Sequence, residues 1–290
     1  MSILNKLILG TVQFGINYGI NNSSGIISEE EAFTILDIAA ENEIEYLDTA
    51  DSYGNASEII GNYHRIKENR FKVLTKFKVD SLHYSIFEKV KNSLKILETE
   101  KLYCYSYHSF SDFINYPEIK NELQVLKNNG IVEKIGISIY TNNEFLKVID
   151  SEIIDVIQIP YNILDNNNLR GHLIQKAKHN GKEIHSRSVF LQGLFFMNLN
   201  KMPEKFLPLK KYLILLNDIA DTEGLSMTSL SLNYVINNPL IDHVLIGVDN
   251  KNQLLQNLSI IDTKDYVFLK SIASSIVVKE IELLNPVNWE

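Results

Sequence analysis

The stretch YLDTADSYGNASEIIG, residues 46–61, contains the repeating unit that predicts the fold. It begins with the apolar and aromatic residues of a buried β-strand, and after Gly54 it has the character of a helix start. Between the two lie acids and a tyrosine, Asp48, Asp51 and Tyr53, where the strand ends. The stretch therefore predicts a strand, a polar loop and a helix, and it raises the question of why a core strand ends in acids.

The same order of strand and helix repeats along the chain. Eight short runs rich in β-branched and aromatic residues alternate with helical patterns, at 7–10, 44–50, 71–77, 102–109, 132–139, 156–162, 183–190 and 243–249. Repeated βα units require a parallel sheet that is covered on both faces. Eight such units in about 250 residues fit a closed (β/α)8 TIM barrel.

Three helical segments begin with the pattern of a capping box, an N-cap residue three positions before a Glu. The pairs are Ser28 with Glu31, Asn55 with Glu58, and Thr141 with Glu144. An open doubly wound sheet fits less well, because the glycines of GTVQFGINYG do not form the dinucleotide fingerprint G-x-G-x-x-G. The chain has no linker or break in composition, so residues 1–290 are predicted to form a single domain.

Composition limits the classes of function. The chain of 290 residues has a net charge of -8 and no basic run, which argues against a nucleic-acid or membrane-surface partner. Its one cysteine, Cys104, excludes a disulfide framework and a cysteine-rich zinc site, and no metal site is predicted. No stretch approaches the roughly 18 apolar residues of a membrane span. We expect a cytoplasmic protein, a monomer by default, that acts on a small molecule.

Polar side chains stand at the ends of three consecutive predicted strands. Asp48, Lys76 and His108 close the second, third and fourth strands, and Tyr53 lies five residues beyond Asp48. Each one alone has an ordinary structural explanation, such as an Asx turn, a solvated lysine or a core histidine. In a barrel, however, the carboxyl ends of the strands converge on one rim, where catalytic groups lie. The set therefore indicates an active site.

The chemistry of such a set follows from electrostatics. A phenol, with a pKa near 10, donates a proton poorly at neutral pH unless a neighbouring cation stabilises the phenolate. Lys76 is the candidate cation for Tyr53, and Asp48 beside it would keep the lysine charged. His108 could orient a substrate carbonyl and help to pass the proton. The set therefore predicts Tyr53 as the general acid in the reduction of a carbonyl group.

Six blocks of the sequence resemble, in order and over nearly the whole chain, blocks of the aldo-keto reductase superfamily. The blocks are LILGTVQFG, YLDTADSYG, VLTKF, YSYHS, KIGISIY and VIQIPYN. The catalytic Asp-Tyr-Lys-His tetrad of that family falls on Asp48, Tyr53, Lys76 and His108. The resemblance implies that a nicotinamide cofactor lies across the mouth of the barrel and transfers a hydride, while Tyr53 gives the proton.

The resemblance also implies cofactor contacts in the loops that follow the strands. Gly10, Thr11 and Val12 follow the first strand, and Ser138 and Gln158 match residues that hold the nicotinamide carboxamide. Arg187 stands where an aromatic side chain usually stacks on the nicotinamide, with Ser188 beside it for the pyrophosphate. The residues at the adenosine end are Gly247, Asp249, Gln253 and Asn257.

The chain departs from the family pattern in several places. Ile139 replaces the Asn that often follows the carboxamide-binding Ser. Gly247 and Gln253 occupy positions where NADPH-selective members often have Lys and Arg, and Asp249 has the same sign as a 2′-phosphate. A helix start nevertheless suits an anion, so NADP(H) is favoured, with NAD(H) as the alternative. The N-terminal hairpin that closes the barrel floor in many members is expected to be short or absent.

Two other functions are consistent with the same scaffold. One is a cofactor-binding regulatory protein that pairs with a partner, and the other is a barrel aldolase in which Lys76 forms a Schiff base. For the leading hypothesis, the loops at the mouth mix aromatics with amides and hydroxyls, which suits a polar carbonyl compound such as a keto-sugar. The long connection at 191–203 could place Phe195 and Phe196 over a ligand or simply pack them on the rim.

Overall fold

The computed structural model describes residues 3–68, 70–79, 85–261 and 266–289, and its core is a closed barrel of eight parallel strands. Each strand pairs with its neighbours in chain order, and the eighth returns to the first. The strands are β1 Leu7–Gly10, β2 Tyr46–Asp48, β3 Lys72–Phe77, β4 Leu102–Tyr107, β5 Val132–Ser138, β6 Val156–Pro160, β7 Glu183–Arg187 and β8 His243–Gly247. The prediction of a (β/α)8 barrel is confirmed, and each strand lies within its predicted run.

Helices surround the barrel and connect the strands. They are α1 Val12–Gly15, α2 Glu29–Glu41, α3 Ala56–Ile66, α4 Ile86–Leu97, α5 Phe110–Asn115, α6 Ile119–Asn128, α7 Asn142–Val148, α8 Asn167–His179, α9 Lys210–Thr222, α10 Met227–Ile236, α11 Lys251–Ser259 and α12 Tyr266–Ser275. Short 3-10 helices lie at Ile3–Lys6, Leu191–Phe196, Glu204–Leu209, Ile281–Leu284 and Pro286–Trp289. Among the described residues, every helix is too short or too polar to cross a lipid bilayer.

Two of the three predicted capping boxes have the expected side-chain bond. Oγ of Ser28 accepts from the N–H of Glu31 at 3.2 Å, and Thr141 forms the complete reciprocal box at the start of α7. The third prediction is wrong. Asn55 does precede α3, but its side chain makes no cap bond, because its backbone (φ -94°, ψ 18°) is not extended as a capping residue requires.

The interior of the barrel changes character from floor to mouth. Its middle is apolar and contains Ile8, Leu74, Cys104 and Val156. Because alternate residues of a strand share a face, Lys76 lies on the same face as Leu74, one step nearer the carboxyl end. Polar side chains therefore lie at the carboxyl ends of the strands, above the apolar layer in the middle of the barrel.

The segment ahead of β1 contains no β-hairpin within its described residues. The described residues ahead of β1 form the short 3-10 helix Ile3–Lys6. Nζ of Lys6 donates to the carbonyl oxygens of Ile236 and Asn238, at 3.1 and 3.0 Å. These bonds fix the start of β1 to the end of α10 and the residues that follow it.

Candidate active site

A cavity of about 400 Å³ opens at the carboxyl ends of the strands. It is lined by the four predicted catalytic residues, Asp48, Tyr53, Lys76 and His108. It is also lined by the predicted cofactor residues Gly10, Thr11, Val12, Ser138, Gln158, Arg187, Ser188, Gly247, Asp249, Gln253 and Asn257. The fold thus brings together side chains from β1 to β8 on the walls of one cavity.

A buried ion pair forms the base of the cavity. Nζ of Lys76 donates to Oδ1 of Asp48 and, at 3.3 Å, to the carbonyl oxygen of Thr49, and the two side chains are only 4% and 3% exposed. The second carboxylate oxygen of Asp48 accepts from Nε2 of Gln158 at 2.9 Å. With each carboxylate oxygen in a hydrogen bond, both charges are held in a fixed position away from water.

Two glycines fix the loop that carries Tyr53. Gly54 has φ +54°, a left-handed conformation that favours glycine, and a β-carbon there would overlap the carbonyl oxygen of Gly15 at the end of α1. A β-carbon on Gly15 would in turn overlap the carbonyl oxygen of Tyr53. The two backbones therefore pack in direct contact. The loop after β2 is held against the loop after β1, and Tyr53 has a defined position.

Tyr53 lies half-buried against Lys76 and His108. Nζ of Lys76 is 5.4 Å from the centre of the phenol ring, and the ring of His108 meets it edge-on at 6.0 Å between centroids. Burial raises the pKa of Tyr53 well above its ordinary value, and Asp48 adds to that, whereas Arg187 acts in the opposite direction. The phenol therefore keeps its proton at neutral pH. Its hydroxyl makes no hydrogen bond to any described residue, so it is available to a ligand.

His108 follows β4 directly and is neutral. Burial, followed by the positive charges of Lys76, Lys78 and Arg187, lowers the pKa of His108 to about 3. Its Nδ1 lies 3.4 Å from Oγ of Ser52, at the limit of a hydrogen bond. A neutral imidazole can orient a polar group or relay a proton, but it carries no charge of its own at neutral pH.

Between β1 and β8, the side chain of Gln13 fills the space beside Gly247. A β-carbon on Gly247 would lie 2.8 Å from Nε2 and 2.9 Å from Oε1 of Gln13. That Oε1 is buried without a hydrogen-bond partner among the described residues. The hydroxyl of Thr11 is already bonded to the carbonyl oxygen of Asp48, at 3.0 Å. Gln13 thus adds an unbonded acceptor atom at this end, whereas Thr11 supports the position of Asp48.

Arg187, at the end of β7, packs against an aromatic ring. Its guanidinium carbon lies 4.1 Å from the centre of the Tyr140 ring. Nη2 donates to the carbonyl oxygen of Ile139 at 3.2 Å, and Nη1 to Oγ of Ser188 at 3.3 Å. These contacts hold the plane of the guanidinium in the cavity wall.

Two carboxylates contact the start of α11, where the sequence analysis expects the adenosine end of a cofactor. The N–H of Lys251 donates to Oε1 of Glu31 at 2.8 Å. Oδ2 of Asp249 accepts from Nε2 of Gln253 at 3.2 Å, and Oδ1 of Asn250 accepts from the N–H of Gln253 at 3.0 Å. The N–H of Lys251, one of the groups that could bind an anion at this helix start, is therefore already bonded to a carboxylate of the protein.

Sequence reasoning missed several residues that line the cavity, among them Gln13, Tyr18, Tyr140 and Gln192. Nε2 of Gln192 donates to the hydroxyl of Tyr18 at 2.9 Å, and the carbonyl of Gln192 accepts from the N–H of Ile20 at 3.1 Å. These bonds join the loops after β1 and β7 across the mouth. Tyr140 could have been found, since it follows β5 by two residues. Gln13 lies on α1, and Tyr18 and Gln192 lie in the segments after β1 and β7, which are distant in sequence and meet only in the fold.

The long connection after β7 takes both of the forms expected from its sequence. Phe195 is buried in the core, whereas Phe196 is 42% exposed and lines the cavity. Gln192 and Gly193, in the same 3-10 segment, have positive φ values of 52° and 88°. The sharp turn there directs the two neighbouring phenylalanines to different surroundings.

A barrel with this set of strand-end residues is the architecture of an oxidoreductase family. The family model described as "Aldo/keto reductase family" matches residues 6–272 of the chain. The chain belongs to the aldo/keto reductase family, whose members act on small carbonyl compounds with nicotinamide cofactors. It is 25% identical over 293 residues to the uncharacterized oxidoreductase YqkF of Bacillus subtilis strain 168, with 88% of this chain and 90% of that one covered.

Solved structures have the same fold. The aldo-keto reductase AKR11C1 of Bacillus halodurans, in its holo form, superposes with a TM-score of 0.73 at 21% identity and covers 95% of this chain and 94% of its own. The glycerol dehydrogenase AKR11B4 of Gluconobacter oxydans gives the same TM-score, 0.73, at 20% identity, with 93% and 90% covered. At these identities the similarity shows a shared barrel fold and no more.

Proposed function

We propose that this oxidoreductase reduces a polar aldehyde or ketone to an alcohol, with Tyr53 as the proton donor and NADH or NADPH as the hydride source. The observation that carries the proposal is the arrangement of Tyr53: a protonated, unbonded phenol stands beside a buried Lys76–Asp48 pair and a neutral His108 in the wall of one cavity. Such a phenol suits proton donation to an oxygen that becomes an alkoxide.

The cavity residues fit a nicotinamide cofactor. The unbonded Oε1 of Gln13 and the half-buried guanidinium of Arg187 are polar groups that a bound ligand can satisfy. In this proposal Ser138 and Gln158 hold the carboxamide, Arg187 lies beside the ring, Ser188 binds the pyrophosphate, and the segment from Gly10 to Val12 approaches the cofactor closely. The adenosine end is held by Gly247, Asp249, Gln253 and Asn257.

Each member of the tetrad has one part in the reaction. A bound reduced cofactor would supply the hydride, with its electron pair, that adds to the carbonyl carbon. Tyr53 gives its hydroxyl proton to the carbonyl oxygen, so that one C–H and one O–H bond form. Lys76, kept charged by Asp48, stabilises the phenolate that remains. Neutral His108 orients the carbonyl oxygen and relays the proton that restores Tyr53.

The choice between the two cofactors depends on the start of α11. The sequence favours NADP(H). Glu31 and Asp249, the carboxylates that contact this helix start, oppose a 2′-phosphate and instead suit a ribose hydroxyl, which supports NAD(H). If Asp249 has this role, Asp249→Asn raises affinity for NADPH relative to NADH by about fivefold, the effect of removing about 1 kcal/mol of repulsion.

The state of Lys76 supports reduction over Schiff-base chemistry. A lysine that attacks a carbonyl must be neutral, whereas Lys76 is almost fully buried in an ion pair with Asp48. We take the protein to act as a cytoplasmic monomer on a polar substrate of the kind that a mixture of amides, hydroxyls and aromatics would bind. The regulatory alternative is consistent with the same cavity, and turnover distinguishes the two.

Titration with NADPH and with NADH, followed by nicotinamide fluorescence, tests the cofactor, and initial rates with a panel of aldehydes and ketones test turnover. We expect micromolar binding of at least one cofactor and consumption of that cofactor with a carbonyl substrate. Tyr53→Phe should bind the cofactor as the wild type does and lose turnover. Binding of neither cofactor, or wild-type turnover by Tyr53→Phe, would show the proposal to be wrong.

A further inference from the structure

Arg187 is a half-buried cation in the cavity wall with no carboxylate in ion-pair contact, as far as the described residues extend. Two of its nitrogens donate to uncharged acceptors, the carbonyl of Ile139 and the hydroxyl of Ser188. Its Nε is buried and has no hydrogen-bond partner in the same part of the chain. The guanidinium is therefore neither fully hydrogen-bonded nor neutralised.

Two other buried cations are paired with a carboxylate, while a third, Lys182, donates to the carbonyl oxygens of Ser151 and Ile154. Arg170 on α8 is held by both oxygens of Asp165, with Nε–Oδ1 and Nη2–Oδ2 distances of 2.7 Å. Lys76 has Asp48. Burying a charge without a counter-charge is costly, so proteins normally pair buried cations. Arg187 has no such carboxylate among the described residues and, unlike Lys182, it lines the cavity, where a ligand can supply the counter-charge.

The acids that line the cavity do not compensate Arg187. They are Asp48, which is bound to Lys76, and Asp249, which lies beyond β8 in contact with Gln253. The remaining polar residues near the mouth, such as Tyr18 and Asn21, are uncharged. One positive charge is therefore left over in the catalytic half of the cavity.

The charge of Arg187 acts on the groups that meet the carbonyl. Burial raises the pKa of Tyr18 to about 12 and that of Tyr53 further, and Arg187 opposes the rise in both. It also contributes, after burial and two lysines, to the low pKa of His108. Arg187, Tyr53 and His108 line the same cavity, so the guanidinium shares that cavity with the proposed site of reduction.

We propose that Arg187 binds an anionic group of the substrate, and that the substrate is a small aldehyde or ketone with a carboxylate or a phosphate near its carbonyl; this inference rests on the proposed reductase function. Tyr140 covers one face of the guanidinium. The other face stays available to the nicotinamide, and the N–H edge binds the anion. An arginine edge matches the planar geometry of a carboxylate or the oxygens of a phosphate.

Two matched pairs of substrates test the charge preference. One pair is succinic semialdehyde and its methyl ester, which differ by a carboxylate; the other is glyceraldehyde 3-phosphate and glyceraldehyde, which differ by a phosphate. With the cofactor in excess, the charged member of at least one pair should have a kcat/KM at least about tenfold higher, the effect of a hydrogen bond between charged groups. The pair that shows the preference identifies the anion.

Variants assign the preference to Arg187. Arg187→Gln should reduce the charged-to-neutral ratio of kcat/KM to about one, and Arg187→Lys should keep part of it, because the charge remains while the planar edge is lost. Lys78→Gln is the matched control. Lys78 is an exposed cation that also acts on His108 but does not line the cavity, so its removal should leave the ratio unchanged.

Three results would overturn the inference. If both pairs are reduced without a charge preference, the reductase function stands and the role of Arg187 is wrong. If Arg187→Gln slows charged and neutral substrates equally, Arg187 serves the cofactor instead. If no substrate is reduced, calorimetric titration with succinate and with 3-phosphoglycerate decides: tighter binding to the wild type than to Arg187→Gln supports the anion site, and equal or absent binding contradicts it.

Discussion

Two polar clusters at opposite ends of this barrel contain nearly the same types of residue. The mouth cluster is Asp48, Tyr53, Lys76 and His108, and the floor cluster is Tyr103, Lys134, Glu183, His185 and His243. Each has a carboxylate, a lysine, a tyrosine and at least one histidine. Only the mouth cluster is among the residues that line the cavity.

In the floor cluster, the carboxylate is surrounded by donors. Glu183 Oε1 accepts from the Tyr103 hydroxyl at 3.0 Å and lies 2.7 Å from Nε2 of His185, while Lys134 pairs with Oε2. Lys134 also donates to the Tyr103 hydroxyl at 2.7 Å. Burial acts to raise the pKa of Glu183, but the bonds from His185 and Lys134 outweigh it and hold the pKa below its ordinary range. The Tyr103 hydroxyl thus donates its proton and accepts a second bond within the cluster.

In the mouth cluster, the ion pair is equally well bonded, but the Tyr53 hydroxyl and the His108 ring remain open to the cavity. The same residue types therefore stabilise the fold at one end and serve chemistry at the other. What differs is position. The carboxyl ends of the strands lead into loops that leave room for a ligand, whereas the amino ends close around their own side chains.

The largest expected difference between the clusters is in the paired Tyr→Phe variants. Tyr53→Phe should lower kcat by about 10² to 10⁴, the range for loss of general acid catalysis, with little change in stability. Tyr103→Phe should keep kcat within about threefold of wild type and lower the free energy of unfolding by about 1 to 3 kcal/mol, because Glu183 and Lys134 lose a partner. Steady-state kinetics and urea unfolding of both variants check this; equal kinetic losses would abolish the distinction.

The two lysines should differ in their effect on stability. Lys76→Met leaves the buried Asp48 charge unpaired, and we expect a loss of about 3 to 5 kcal/mol in the free energy of unfolding together with loss of turnover. Lys134 is 31% exposed, and Glu183 keeps other donors, so Lys134→Met should cost about 1 kcal/mol and retain activity. Denaturant unfolding at pH 7 measures both. A Lys134→Met protein as unstable as Lys76→Met would contradict this account.

His243 in the floor cluster should make stability depend on pH. Burial, then His185, lowers the pKa of His243 from 6.5 to about 4, against the opposing charges of Glu183 and Asp242. The unfolded chain therefore takes up this proton at a higher pH than the folded chain does. The contribution of neutral His243 to the free energy of unfolding is complete above pH 6.5. It is lost as pH falls towards 4, by up to about 3 kcal/mol. Between pH 7 and 4, the free energy of unfolding should depend less on pH in His243→Gln than in the wild type. An unchanged pH dependence would refute this role of His243.

The mouth histidine should leave the rate independent of pH in the same region. The folded pKa of His108 is about 3, so it stays neutral between pH 5.5 and 8. For folded wild-type protein we expect kcat/KM to vary by less than about threefold across that window. A break near pH 6.5 that disappears in His108→Gln would mean that His108 titrates and that the electrostatic description of the mouth is incorrect.

The sequence was sufficient for the barrel and for the strand-end residues, because both follow local rules. The alternation of apolar strand runs with helical patterns predicts the βα units. Because catalytic groups of a barrel lie at the carboxyl ends of its strands, Asp48, Lys76 and His108 are selected. The contact between Gly15 and Gly54 and the floor cluster were not predicted. Tyr103 and Glu183 are 80 residues apart and meet only through barrel closure, and LYCYSYHS reads as an apolar strand. The cap expected at Asn55 failed because backbone geometry in the Tyr53 loop overrides the local pattern.

Isotope transfer tests the central claim most directly. Wild type, Tyr53→Phe and Tyr103→Phe are incubated with a carbonyl substrate and with NADH or NADPH doubly deuterated at C4, and the alcohol is analysed by mass spectrometry. The account predicts one deuterium on the carbinol carbon with wild type and Tyr103→Phe, and almost no product with Tyr53→Phe. Product without deuterium, or full product formation by Tyr53→Phe alongside loss in Tyr103→Phe, would contradict it.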